Sequence, residues 1–153
     1  MKEKDYSIIG YFRSNARMSL TKLSKATKIP VSTLFDKLRD YENRKIIQKH
    51  TAIIDFKKLG YDIKLQILLA VEKERKESLQ KFLYRHPRVN TILRINNGYD
   101  YMIEAIFKNM EELDEFTRNL EEHEPKDKKE LYIMEDIKRE EFLTHKENLG
   151  LIR

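Results

Sequence analysis

Ser32, Thr33, Phe35, Asp36 and Lys37 fall within six consecutive positions, and each is of a type that can read the edge of a DNA base. A serine or threonine hydroxyl bonds bases or phosphates, and a lysine ammonium reaches guanine or a phosphate. A phenylalanine ring touches a thymine methyl, and a carboxylate accepts from cytosine. This chemistry needs a rigid element narrow enough for the major groove. From Ser32 to about Asn43, Leu34, Leu38 and Tyr41 recur at i, i+4 and i+7, which predicts a helix that buries these three. Ser32, Thr33, Asp36, Lys37 and Asp40 then face outward, with Phe35 near the edge. The plainer alternative is a solvated helix face on which Asp36 and Asp40 pair with Lys37, Arg39 or Arg44.

The surrounding residues are those of a helix-turn-helix. Ser19 is suited to an N-cap, because its hydroxyl can accept from a free backbone N–H. Leu20, Leu23 and Ala26 give the helix that follows, to Thr27, a buried side. Pro30 lacks a backbone donor and pushes Ile29 out of the helical region, so that helix stops there and the next starts at Val31 or Ser32. Upstream, Ile8, Ile9 and Phe12 form an apolar stripe on a first helix from Asp5 to Asn15, with Asp5 at its favourable N-terminal end. Downstream, Ile46-Ile47 and Ala52 to Phe56 read as two short strands joined at His50-Thr51, which would make a wing. The DNA-binding domain so defined spans residues 1–60.

Charge follows the same division. Residues 1–60 hold 14 Lys and Arg against 6 Asp and Glu, a balance of +8, whereas residues 61–153 hold 17 against 20, a balance of −3. A basic first domain suits a polyanion, and Arg17, Lys22, Lys25, Lys28, Lys45 and Lys49 are its candidate phosphate contacts. Such contacts add salt-dependent affinity without sequence information. A chance imbalance of solvated lysines is the competing explanation. The chain is 37% charged, well above the roughly 25% of ordinary soluble domains, and its abundant Lys and Glu with few Gln point to a warm habitat. Its first residues are charged, unlike a secretory signal, and its longest apolar run, Ile67 to Val71, is far short of a membrane span. A soluble cytoplasmic protein is expected.

From Tyr61 onward the spacing changes. Ile63, Leu65, Ile67, Leu69 and Val71 alternate as in a strand, and the largely apolar residues between them suggest cover on both faces. Leu79, Phe82 and Leu83 predict a helix over 77–85, ended by His86-Pro87. A strand from Val89 to Asn96, an Asn97-Gly98 turn and a strand from Tyr101 to Phe107 follow, since Asn-Gly tolerates the positive φ of a two-residue hairpin turn. A helix over 110–121 buries Leu113, Phe116, Thr117 and Leu120; 121–130 reads as a charged loop, and 131–137 as a last strand. The order strand, helix, strand, strand, helix, strand is that of a ferredoxin-like split βαβ domain. It is assigned residues 61–153, including a tail from 138 with a short helix through Phe142, Leu143 and Leu149. The chain is thus α+β: a winged helix-turn-helix followed by a ferredoxin-like βαββαβ domain.

Little in the sequence points to catalysis. There is no cysteine, hence no disulfide, thiolate nucleophile or Cys-based zinc site. His50, His86, His123 and His145 lie at no ligand spacing, and neither a zinc-binding His-Glu-x-x-His nor a Gly-rich phosphate loop occurs. No catalytic residue, metal or cofactor is assigned. Asp100, between Tyr99 and Tyr101, either serves a ligand loop or caps the hairpin turn, and the second reading is preferred.

The run from Lys37 to Ile47 resembles the end of the recognition helix in the Lrp/AsnC (feast/famine) family of transcription regulators, R-I-x-x-L-E-x-x-G-x-I. Ala52, Ile54-Asp55 and Leu59-Gly60 fit that family's A-x-l-D…l-G segment, Arg17 its R-x-s, and Gly98-Tyr99-Asp100-Tyr101 lies close to its G-x-y-D-y turn. Three departures stand out. Lys45 replaces the glycine before the wing, Lys37 stands at the arginine, and Asn97 takes the place of the turn's first glycine. The resemblance implies a sequence-specific regulator that binds palindromic double-stranded DNA as a homodimer, often assembled further to octamers. It also implies a RAM/ACT-like second domain, with an amino acid or other small effector near Asn97, Gly98, Tyr99 and Asp100. Other proteins of similar architecture are sirohaem decarboxylases, to whose motifs His86-Pro87-Arg88 is the nearest approach. A third reading is a protein-interaction module without DNA binding.

Overall fold

The computed structural model describes residues 1–144, which divide into two units. The first comprises residues 1–53 with the segment from Ile137 onward, and the second is Ile54–Asp136. The boundary therefore falls before residue 60, and the tail assigned to the second domain lies with the first. No described helix is long and apolar enough to cross a membrane.

In the first unit α1 (Glu3–Ser14), α2 (Leu20–Thr27) and α3 (Val31–Asn43) pack around Ile8, Phe12, Leu23, Leu34 and Tyr41. The Ser19 hydroxyl caps α2, accepting from the Lys22 N–H at 3.3 Å. Pro30 is the extended N-cap of α3, so the short turn is set by a residue that cannot prolong α2. Ala26, expected inside, is exposed.

The expected wing strands do not form. Ile46 and Ile47 both donate their N–H to the Tyr41 carbonyl, at 2.8 and 3.1 Å, and lie half-buried on the helical core. With those donors bonded back to α3, no ladder can begin there. Among the described residues the stretch to Asp55 carries no strand, and Ile53 and Ile54 are 61% and 43% exposed.

The tail runs back along α1. Arg13 pairs with Glu140 at 2.8 Å, and its Nε donates to the Phe142 carbonyl at 3.1 Å. The Ser14 hydroxyl sits between the Gly10 and Thr144 carbonyls, at 3.0 and 3.3 Å. The Leu143 carbonyl rests against Gly10, where a Cβ would stand only 2.7 Å from the oxygen. The described part of the tail, to Thr144, contains bends and turns rather than the expected helix; Leu149 and His145 lie outside the described residues.

The second unit is a four-stranded antiparallel sheet in the order β2-β3-β1-β4. Its strands are β1 (Ile63–Ala70), β2 (Val89–Arg94), β3 (Tyr101–Phe107) and β4 (Asp127–Tyr132), with helices α4 (Lys76–Arg85) and α5 (Met110–Glu121). Leu65, Ile67 and Leu69 of β1 and Tyr101, Ile103, Ala105 and Phe107 of β3 meet Leu79 and Leu83 of α4 and Leu113, Phe116 and Leu120 of α5. This is the ferredoxin-like arrangement. Because side chains alternate across a strand, Lys64, Gln66, Leu68, Met102, Glu104 and Ile106 take the opposite face, over which no helix of the unit lies.

β4 starts four residues before its expected position and ends earlier, so the supposed charged loop supplies most of it. It is an edge strand paired to β1 alone, with Lys128 opposite Leu69 and Glu130 opposite Ile67. Lys128 is held by Glu121 at 2.6 Å and Glu130 at 3.2 Å. Charge at a sheet edge guards against unwanted strand pairing, and it also hides the strand from any hydrophobic pattern.

Candidate nucleic-acid interface

Ser32, Phe35, Asp36, Arg39 and Asn43 form one exposed ridge along α3, at i, i+3, i+4, i+7 and i+11. Phe35 is 55% exposed. Thr33 is exposed on the flank of this ridge.

Lys37 is not on the ridge. It follows Leu34 by three residues and precedes Tyr41 by four, which turns it toward the buried side, and its ammonium is bonded to Asp5 of α1. Asp5 is only 7% exposed. It also accepts from the Tyr41 hydroxyl and the Lys2 backbone N–H, each at 2.7 Å. The Lys37 ammonium, the Lys2 N–H and the Tyr41 hydroxyl together hold the Asp5 carboxyl well below the usual carboxylate range, against the effect of burial. Burial and the Asp5 charge push the Tyr41 hydroxyl up. Lys37, expected at a base edge, instead ties α3 to α1. The 34, 37, 38, 41 spacing in the sequence sets Lys37 beside the buried stripe, but it does not name Asp5 as the partner.

The phosphate candidates are all exposed: Arg17 between α1 and α2, Lys22 and Lys25 on α2, Lys28 at its end, Lys45 after α3, and Lys49 in the extended segment. None has an ion pair among the described residues. Nearby acids are occupied, Asp40 by Arg44 at 3.0 Å and Glu42 by His50 at 2.9 Å. Lys45 takes a left-handed φ of 55° and closes α3 in a Schellman turn: its N–H bonds the Glu42 carbonyl at 3.0 Å and that of Ile46 the Tyr41 carbonyl at 2.8 Å. The chain turns here without glycine, using a residue whose Cβ opposes the conformation.

In the second unit Asn97 and Gly98 have φ of 66° and 91°, the positive pair of a two-residue hairpin turn. Both are exposed. The Tyr99 hydroxyl donates to Asp127 at 2.9 Å. Asp100 accepts the Val71 N–H at 2.9 Å and pairs with Lys76 at 2.5 Å, which lowers the pKa of its carboxyl. Its carboxylate therefore fastens the turn to the end of β1 and the start of α4. Among the described residues no cluster of three His, Asp or Glu could hold a metal.

Residues 65–140 match the Lrp/AsnC ligand binding domain. The chain belongs to the Lrp/AsnC family of transcriptional regulators. Among similar proteins, an uncharacterised HTH-type transcriptional regulator of Pyrococcus abyssi is 21% identical over 93% of this chain and 97% of its own. The HTH-type transcriptional regulator FL11 of Pyrococcus horikoshii is 29% identical over 76% and 77%. Two solved structures share the fold. The LrpC structure of Bacillus subtilis has a TM-score of 0.81 at 20% identity, covering 90% of this chain and 97% of that one. A transcriptional regulator from Neisseria meningitidis, solved as its L-Met complex, has a TM-score of 0.82 at 19% identity, covering 91% and 93%. As an Lrp/AsnC regulator the chain is not an enzyme, which removes the sirohaem-decarboxylase reading.

Proposed function

We propose that this Lrp/AsnC regulator reads double-stranded DNA with the exposed ridge of α3 and binds palindromic sites as a homodimer or a larger assembly, up to an octamer, in the cytoplasm. The ridge itself is the supporting observation: Ser32, Phe35 and Asp36 project from the second helix of a helix-turn-helix whose other side is anchored by Leu34 and Tyr41. An aromatic ring left in water forfeits burial free energy, and contact with a thymine methyl would recover part of it. Thr33 flanks the ridge, and Arg17, Lys22, Lys45 and Lys49 supply phosphate contacts.

The open sheet face offers the means of pairing. Leu68, Met102, Leu93 and Leu131 form an apolar patch on it beside Lys64, Gln66, Glu104 and Lys129, and a second layer would cover that patch. A second copy of the same sheet supplies one under two-fold symmetry. Two α3 helices would then address major-groove faces roughly 34–36 Å apart, or a multiple of that. The Neisseria relative carries L-Met, and an amino acid is the effector class we favour. At the Asn97–Asp100 turn it would meet the Asn97 amide and the backbone N–H groups of Gly98 and Tyr99, because the Asp100 carboxylate is already committed.

Anisotropy on duplexes from the gene's own upstream region should show the salt slope of log affinity falling by roughly 0.9 for each contact removed in Lys22→Ala, Lys45→Ala and Lys49→Ala. Unchanged binding in all three would refute the surface. Light scattering should show a dimer or larger at micromolar concentration, and a monomer would refute the sheet pairing. Calorimetry with L-Met and other amino acids tests the effector.

A further inference from the structure

We infer, resting on the role of α3 proposed above, that Arg39 is the residue with which this helix discriminates between bases, taking a guanine through two parallel hydrogen bonds. Three of the other charged side chains on α3 are occupied. Lys37 is bonded to Asp5, Asp40 to Arg44 and Glu42 to His50. Arg39 is exposed and has no ion pair among the described residues, so it is the cation of α3 free to leave the helix surface.

Its position is suited to the groove. At 100° per residue, Arg39 lies about 140° around the helix from Leu34, facing almost directly away from the core. Ser32, Asp36 and Asn43 share that side. A guanidinium presents two parallel donors in a fixed fork that matches O6 and N7 of guanine, whereas a lysine ammonium is a point charge. Asp36, three residues earlier on the same ridge, repels a phosphate at this place, which favours a base edge over the backbone as the partner of Arg39. Phe35, one turn before Arg39, sets a thymine-methyl contact next to the guanine. The charge that a family comparison assigns to Lys37 has thus moved two positions along α3.

The test is selection from a randomised duplex library with the full chain as wild type, Arg39→Lys, Arg39→Ala and Lys37→Met, followed by affinities on the selected sites. Both Arg39 variants should lose preference for guanine at one position per half-site, by about ten- to a hundredfold, while Lys37→Met, which loosens α3 from α1, lowers affinity over all sequences and keeps the preference for guanine. Arg39→Lys separates the roles, since lysine preserves a phosphate contact but not the two-pronged one. Unchanged base preferences in the Arg39 variants, or weakening that is uniform over all sequences, would overturn the assignment. A wild-type chain that selects no sequence and binds duplex without salt dependence would instead overturn the reading of α3 on which it rests.

Discussion

The second unit gathers thirteen buried apolar side chains from two strands, Val71 just after β1, and two helices, whereas the first gathers five around three short helices. Each also buries a carboxylate, Glu104 in the second and Asp5 in the first. The five apolar side chains of the first are flanked by eight partly buried apolar residues, a smaller and wetter core that leaves more of the helix orientation to polar contacts. Where apolar area is scarce, directional bonds take over: Asp5 fastens α3 to α1 through Lys37 and Tyr41, and the Schellman turn at Lys45 fixes where α3 ends. The second unit has polar anchors too, with Asp100 tying the hairpin turn to β1 and α4 and buried Glu104 meeting Lys64 at 3.4 Å, but they are added to a larger apolar core. The helix-turn-helix unit therefore leans more on a few polar contacts, and the second unit on its packing.

The comparison breaks most severely if the second core is opened. Phe116 packs against Phe82, Phe107 and His86, and Phe116→Ala should cost roughly 3–5 kcal/mol. Hydrogen-exchange mass spectrometry should place that loss in Ile54–Asp136; equal loss of protection in α1–α3 would mean that the units do not unfold separately.

Asp5→Asn is the corresponding cut in the first unit. The amide keeps one oxygen to accept from Tyr41 and Lys37, but it removes the charge that pairs with the Lys37 ammonium and sets an NH2 donor against the Lys2 N–H. We expect a loss of about 1–3 kcal/mol, reduced from a fully buried pair because Lys37 is one-third exposed. The acid response gives a sharper measure. The Asp5 pKa is depressed in the folded state, so its stabilisation is complete above the unfolded carboxylate value of about 3.9 and is lost as pH falls from there toward the folded value. Exchange in α1 and α3 should quicken across that range in wild type and change less in Asp5→Asn. Identical acid profiles would deny the carboxylate this role.

Lys45→Gly relieves the left-handed turn and should stabilise the first unit by up to about 1 kcal/mol, while removing a candidate phosphate contact. Higher thermal stability with weaker duplex binding is the expected pair of results. Gly10→Ala should have the smallest effect on stability. The added methyl displaces the Leu143 carbonyl, but alanine favours the helix by about 1 kcal/mol, so the two nearly offset. The readout is faster amide exchange over 137–144 with α1 itself unchanged.

The elements whose burial alternates or repeats cleanly were legible from the residues: α1 to α3, β1, the hairpin at Asn97-Gly98, and α5 to the residue. β4 was obscured by its Lys and Glu, because an edge strand has too little apolar contact to leave a pattern. The wing was misread for the opposite reason. Ile46 and Ile47 are β-branched and apolar, yet they serve as the closing residues of α3, and propensity cannot tell a strand from a helix-end contact. Within the candidate site, exposure at Ser32, Phe35 and Asp36 followed from helical spacing. The same spacing sets Lys37 beside the buried stripe, but its partner was not legible, because Asp5 lies thirty-two residues away and long-range ion pairs have no local signature. The tail on Gly10 had none either: a single helical glycine does not announce which backbone it admits.

That tail sets an order of manufacture. The segment that lies on α1 is encoded after β4, so the ribosome delivers the three helices first, then the whole sheet, and only then the strap. At roughly 5–20 residues per second, several seconds separate the emergence of α3 from that of the residues seated on Gly10. A nascent chain thus holds a helix-turn-helix that is not yet finished, and a fragment ending near residue 53 would remain in that juvenile state permanently.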